Sequence, residues 1–277
     1  MKTNTIKSLL AITFLATTVL FSSCKKETSD SDTLTANNQA LADESYNDVN
    51  NIADEAALNG SVSYKTDDDN SLLSGCATIT RDTVSMPHVV TIDFGNGCTG
   101  VDGRVRKGII TVTYDGPYRQ QGTTITVTFN NYFVNDNQIM GTKTIHNNGL
   151  NASNNPTFSV SVNGQIIRAN GGGTISWVSE RTREWIEGYS TDSRNDDQYS
   201  ITGTASGTAT NGSAFTATII TPLIRNLATG CRRHFVSGAV LIERVSRPDR
   251  TIDFGNGICD DQATVTINGV SHTITLP

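Results

Sequence analysis

Thr123-Thr124-Ile125-Thr126-Val127-Thr128-Phe129 decides the fold class. Successive side chains of an extended chain point to opposite faces. Ile125, Val127 and Phe129 therefore share one face, and threonines fill the other. Such a strand suits an antiparallel sheet with one solvated side. The same pattern lies on both sides of it. Ile109-Ile110-Thr111-Val112-Thr113-Tyr114 runs into the turn residues Asp115-Gly116-Pro117. Phe158, Val160 and Val162 alternate with serines and are expected to end at Asn163-Gly164. Phe215-Thr216-Ala217-Thr218-Ile219 follows a turn at Asn211-Gly212, and Val265 and Ile267 lead to another at Asn268-Gly269. Eight Asn-Gly dipeptides punctuate the chain, the strongest short-range hairpin signal when alternating strands flank them.

The expected fold is all-β, an antiparallel meander of about 12–14 strands forming one domain over residues 61–277. A sandwich, a barrel and a curved open sheet all fit. A membrane barrel does not, because its lipid face needs an apolar band where this chain has Thr, Ser and Asn. One short helix is expected over residues 36–60. Leu41, Val49, Ile52, Ala53 and Ala56 fall roughly on one face, and Asn59-Gly60 suits its end. Its expected task is to pack on the β domain or cover an edge.

Composition removes several functions. The net charge of −6 argues against a nucleic-acid partner. A charged fraction of 17% argues against long helices and coiled coils. The chain has no P-loop, no G-x-G-x-x-G on a strand–helix unit, no H-E-x-x-H and no G-x-S-x-G elbow. His88, His146, His234 and His272 are isolated from one another, so neither a metal site nor a cofactor is expected. Asp67-Asp68-Asp69, and Asp192 with Asp196 and Asp197, lack EF-hand spacing and read as solvated acidic loops.

A repeat organises the cysteines. Thr91-Ile92-Asp93-Phe94-Gly95-Asn96-Gly97 recurs letter for letter as Thr251-Ile252-Asp253-Phe254-Gly255-Asn256-Gly257. Cys98 follows the first copy and Cys259 the second, while Cys76 and Cys231 precede them. Four cysteines allow three pairings. The repeat selects Cys76–Cys98 and Cys231–Cys259, each clipping the open end of a hairpin. Asp93 and Asp253 read as turn residues whose carboxylates bond nearby backbone, not as a catalytic pair.

The candidate site is Trp177-Val178-Ser179-Glu180-Arg181-Thr182-Arg183-Glu184-Trp185, which holds both tryptophans of the chain. As a strand it puts Trp177, Arg181, Arg183 and Trp185 on one face and Glu180 and Glu184 on the other. Tryptophan faces take sugar rings, and guanidinium forks take carboxylates or phosphates. The alternative is a structural ladder of Arg packed on Trp. Tyr189 and Arg104-Val105-Arg106-Lys107 join the site only if their strands neighbour it. Glu180 and Glu184, four residues apart on one strand, lie about 13 Å apart, too far for glycoside hydrolysis.

The N-terminus reads as an address. Lys2 and Lys7 precede a largely apolar run over residues 9–21, too short to span a bilayer but suited to a signal peptide over residues 1–23. Ser22-Ser23-Cys24 resembles a bacterial lipobox, with Phe21 where that pattern prefers Leu. This implies a lipid on Cys24 as the membrane anchor, followed by a disordered tether over residues 24–35. The chain as a whole resembles a group of Bacteroidota envelope lipoproteins. The resemblance rests on Phe21-Ser22-Ser23-Cys24-Lys25-Lys26, residues 91–98, Asp102-Gly103-Arg104, Arg181-Thr182-Arg183-Glu184-Trp185, residues 201–207 and Cys231. It implies an exported protein, anchored to the outer membrane and facing the periplasm or the surface. It assigns no activity. The expected function is a non-enzymatic binding or structural module with a glycan, an anionic envelope component or an envelope protein as partner. The alternative is a carbohydrate-active enzyme with carboxylates from different strands.

Overall fold

In the computed structural model, residues 30–58, 72–73, 77–191 and 193–277 are described. Alternation between apolar and hydroxyl side chains produces fourteen strands in one antiparallel sheet. They are β1 (Thr78–Asp82), β2 (His88–Asp93), β3 (Cys98–Thr99), β4 (Val105–Tyr114), β5 (Thr124–Val134), β6 (Asn137–Leu150) and β7 (Pro156–Ile167). Then follow β8 (Thr174–Glu187), β9 (Gln198–Thr208), β10 (Ala214–Asn226), β11 (Phe235–Arg244), β12 (Arg247–Asn256), β13 (Gln262–Ile267) and β14 (Val270–Thr275). Each strand pairs with the next in sequence, except that two-residue β3 sits beside β4 and leaves β2 to pair β4 directly. The expected meander is therefore present. It is an open sheet whose edge strands, β1 and β14, are not joined to each other.

The sheet curls around one helix. Helix α1 (Leu34–Leu58) meets β2, β4, β8 and β12, which are spread across the strand order. Val90 and Ile92 of β2 share one apolar cluster with Val265 and Ile267 of β13, so the two ends of the sheet close over a common core.

The helix packs on the β domain, the first of the two expected tasks, and it does so from within the curl. It is the centre of the molecule, with Asp43, Glu44, Asp48 and Glu55 buried beside Val49, Ile52, Ala53 and Ala56. The apolar face was visible in the sequence. The burial of the opposite face was not, because it depends on cations from distant strands. The tether over residues 24–35 ends earlier than expected. Asp30 bonds Arg250 at 2.7 Å, and Asp32 bonds Arg244 at 3.0 Å. Asp32 also accepts the Leu34 N–H at 2.9 Å, which satisfies a free donor at the helix start. At the other end Arg81 of β1 donates to the Ala56 carbonyl through Nε at 3.0 Å and Nη2 at 2.8 Å. Residues 1–29, which include the signal peptide and Cys24, lie outside the described residues.

The repeat behaves as read. Both copies end a strand that pairs with the strand before it, β1 with β2 and β11 with β12. Ile92, Phe94, Ile252 and Phe254 are all buried. Asp93 accepts the Gly95 N–H at 2.7 Å and Asp253 the Gly255 N–H at 2.8 Å, the same local bond in both copies, although β2 ends at Asp93 and β12 runs on to Asn256. Cys231 and Cys259 are disulfide-bonded across the open end of the β11–β12 hairpin. Cys98 is also in a disulfide, and Cys76 lies outside the described residues.

Candidate functional site

Strand β8 does place Trp177, Arg181, Arg183 and Trp185 on one face, and that face looks inward. None of the four is more than 9% exposed. Trp177 Nε1 donates to Gln39 Oε1 at 2.9 Å, and its ring stacks on Tyr46 at 5.4 Å. Arg181 pairs with Asp43 at 3.3 Å. Arg183 lies 3.7 Å from Asp54, with its guanidinium 3.5 Å above the Tyr199 ring. Trp185 packs between Tyr199 and Tyr189, at 5.3 and 5.2 Å. Trp177, Arg181 and Arg183 thus grip α1, while Trp185 packs in a second cluster with Tyr199 and Leu227. Of the glutamates on the other face, Glu180 is exposed, and Glu184 accepts from Asn151 and Asn155 at 2.8 Å each.

Arg104 and Arg106 grip a different part of α1. Both bond Asp48, at 3.1 and 2.6 Å, and Arg106 also bonds Asp102. Lys107 points outward to Asp136. Glu44 meets Arg225 at 3.1 Å, and His234 Nδ1 lies 3.8 Å away. Burial alone would raise the Asp48 pKa. Arg106 and Arg104 reverse that and hold the carboxyl below its ordinary value. Glu44 is lowered in the same way by Arg225 and its neighbours, against burial. Asp43 goes the other way, because burial outweighs its single arginine and Gln39. Lys143, enclosed and donating to the Tyr46 carbonyl at 2.8 Å, is pushed down to about 7 by burial and then by Arg183.

With the interior filled by its own helix, ligand-sized space lies outside. Among the described residues, an open groove of about 680 Å³ runs across β7 to β11. Two rows of outward side chains line it. One row is Gln165, Ser176, Thr208 and Ala214, and the other is Asn163, Val178, Ser206, Thr216 and Glu243, each adjacent pair in direct cross-strand register. Five strands make it about 19 Å across. Amide and hydroxyl side chains share its walls with apolar Val178, Ala214 and Val245, and the one carboxylate among the outward residues is Glu243, which accepts from Thr216 Oγ1 at 3.4 Å. Between the rows runs backbone at Gly164 and Gly207, flanking Trp177. A methyl at Gly164 would collide with Tyr46 Oη, so glycine there admits α1 from inside and keeps the strand thin.

A second, smaller crevice of about 120 Å³ lies at the opposite end of β7 and β8. Arg119, Gln121, Leu150, Phe158, Trp185 and Tyr189 line it. Of the sequence candidates only Trp185, with Tyr189, reaches it. Arg119 and Gln121 sit in the turn after Asp115-Gly116-Pro117, and nothing in a turn sequence says what it folds over. No three His, Cys, Asp or Glu side chains converge on a metal-sized site among the described residues. Asp67-Asp68-Asp69 and Asp192 fall outside them. No described helix is long and apolar enough to cross a membrane, which does not bear on strands. Comparison with protein-family models, curated proteins and solved structures gave no match.

Proposed function

We propose that the chain is an exported cell-envelope protein, anchored to the outer membrane by lipid on Cys24, whose curled sheet serves as a non-enzymatic binding module for a neutral, hydroxyl-rich chain such as a glycan. The groove across β7 to β11 carries this reading. Asn163, Gln165, Ser176, Ser206, Thr208 and Thr216 offer paired donors and acceptors without net charge, which is what a polyol surface exchanges for water. Val178 is 45% exposed and Val245 90% exposed, so the groove also has apolar wall for sugar C–H faces. Glycoside hydrolysis needs two carboxyl groups about 5–10 Å apart, and Glu243 stands alone among the outward residues here. That favours binding over cleavage.

The test is titration of the mature chain with neutral oligosaccharides of several linkages, followed by chemical-shift changes. Saturable shifts at Ser176, Ser206 and Thr208, lost in Ser206→Tyr, are expected. If no oligosaccharide shifts these residues, or Ser206→Tyr leaves affinity unchanged, the groove reading fails. Cys24→Ser separately tests the anchor, with loss of incorporated lipid and release from the membrane fraction as the expected result.

A further inference from the structure

The loop between β4 and β5 sets an arginine over the second crevice. The loop is held by one side-chain bond and by two bonds to its backbone. Tyr118 Oη donates to Asp54 at 2.8 Å, Asn147 Nδ2 donates to the Arg119 carbonyl at 2.7 Å, and the Gln120 N–H donates to the Pro117 carbonyl at 2.9 Å. Arg119 itself has φ +67°, a backbone conformation that L side chains adopt only when their surroundings hold them there. Its guanidinium lies 4.9 Å above the Trp185 ring.

That guanidinium has no carboxylate partner and no hydrogen bond among the described residues. The carboxylates around it are committed elsewhere. Asp54 is bonded by Tyr118 and lies 3.7 Å from Arg183. Glu184 is bonded by Asn151 and Asn155, and Glu187 by Gln198. A planar fork of donors, held in place and turned toward an open crevice, matches a carboxylate. The rest of the crevice has a different character. Tyr189 is 53% and Leu150 57% exposed, which gives an apolar wall. Gln121 donates to the Asn148 carbonyl at 3.2 Å, and its own Oε1 is left to accept from a hydroxyl.

We infer that this crevice binds one carboxylated sugar residue of the uronic-acid type, with the carboxylate on Arg119, a ring face against Tyr189 and Leu150, and a hydroxyl on Gln121. About 120 Å³ suits a single ring and not a chain. The site is separate from the groove. The groove residues on β8 (Ser176 to Val178) and Trp185 are about eight residues apart along one strand, or roughly 26 Å. The crevice therefore stands or falls alone.

Tryptophan fluorescence of the mature, disulfide-intact chain reads this site. The chain has two tryptophans, and Trp177, buried against Tyr46 and Gln39, borders the groove and not the crevice. Titration with a uronic-acid monosaccharide and disaccharide is expected to change Trp185 emission saturably and more weakly as ionic strength rises. A Trp177→Phe background should keep the signal. Arg119→Gln should weaken binding about tenfold or more, Arg119→Lys less, and Tyr189→Ala severalfold. Unchanged unfolding midpoints show that the variants fold. If Arg119→Gln does not, Arg119→Lys decides, and unchanged affinity there overturns the fork. Absence of saturable binding, equal binding of a neutral sugar of the same size, tighter binding of an acidic peptide, or full affinity in Arg119→Gln each overturns the proposal.

Discussion

At the scale of single residues, the interior depends on buried carboxylates and guanidiniums that share one another's charge. Asp48 is 2% exposed and shared by Arg104 and Arg106, themselves 4% and 0% exposed. Removing one partner of such a group strands the others without water, which costs about 3–5 kcal/mol. Asp48→Ala should lose that much in urea unfolding near neutral pH. The loss has a pH signature. A carboxyl held below its unfolded value stabilises the fold above that value, here 3.8, and the contribution is lost as pH falls through the lower folded pKa. The gap between wild type and Asp48→Ala should therefore close in acid, and a gap independent of pH would contradict the ion-pair account. Lys143 has the opposite sense. Its folded pKa of about 7 lies below the ordinary 10.5, so the folded state carries a cost below pH 7 that disappears as pH rises toward 10.5. Lys143→Met should raise stability at neutral pH and approach wild type near pH 10. Equal stability at both pH values would show that Lys143 is comfortably charged in the fold. The sequence showed Trp177, Arg181, Arg183 and Trp185 sharing a face, and it offered both a ladder and a ligand site. It did not show which, because the partners Gln39, Asp43 and Asp54 lie more than a hundred residues away.

At the scale of elements, local rules explain most of the chain. Asn211-Gly212 and Asn268-Gly269 make the β9–β10 and β13–β14 turns as read. Asn163-Gly164 does not. Strand β7 runs through it, and the glycine is required by Tyr46 of α1 pressing from within. A hairpin signal was thus overridden by tertiary contact, and no flanking residue announces that. The duplicated segment was more informative, since it placed two hairpins and proposed their clips. The disulfide Cys231–Cys259 closes a loop of 28 residues in sequence separation, which chain entropy values at about 3.5 kcal/mol. Cys231→Ser with Cys259→Ser should lose roughly that amount, and peptide mapping without reductant should recover residues 231 and 259 in one linked species. A double variant as stable as wild type would mean that β11 and β12 hold their ends together without the bond.

At the scale of the whole molecule, the sheet and α1 are each incomplete without the other. The sheet is an open curl whose concave face carries Arg104, Arg106, Lys143, Arg181, Arg183 and Arg225, all buried. A face this cationic cannot collapse on itself, because each charge would lose its hydration with nothing in return. The helix supplies the carboxylates at the matching heights, from Asp43 to Glu55, together with the apolar stripe that fills the core. Sequence reading found the helix and the strands but treated the helix as an accessory. Period and propensity report only an element's own faces, and the complement is spread over β4, β6, β8 and β10 and the turn before β4. The consequence is testable. A chain beginning at residue 77 keeps every strand and loses α1. It should fail to give a cooperative thermal transition and should bind a hydrophobic dye, while the chain from residue 30 unfolds in one step. A peptide of residues 30–58 added in trans should restore the transition in a concentration-dependent way. In the intact protein, α1 amides should exchange with solvent no faster than those of β8 and β11, since the helix leaves only when the sheet opens. A fragment from residue 77 that unfolds as cooperatively as the full chain, or α1 amides that exchange well before the sheet, would make the helix a removable plug and the cationic face a binding site in its own right.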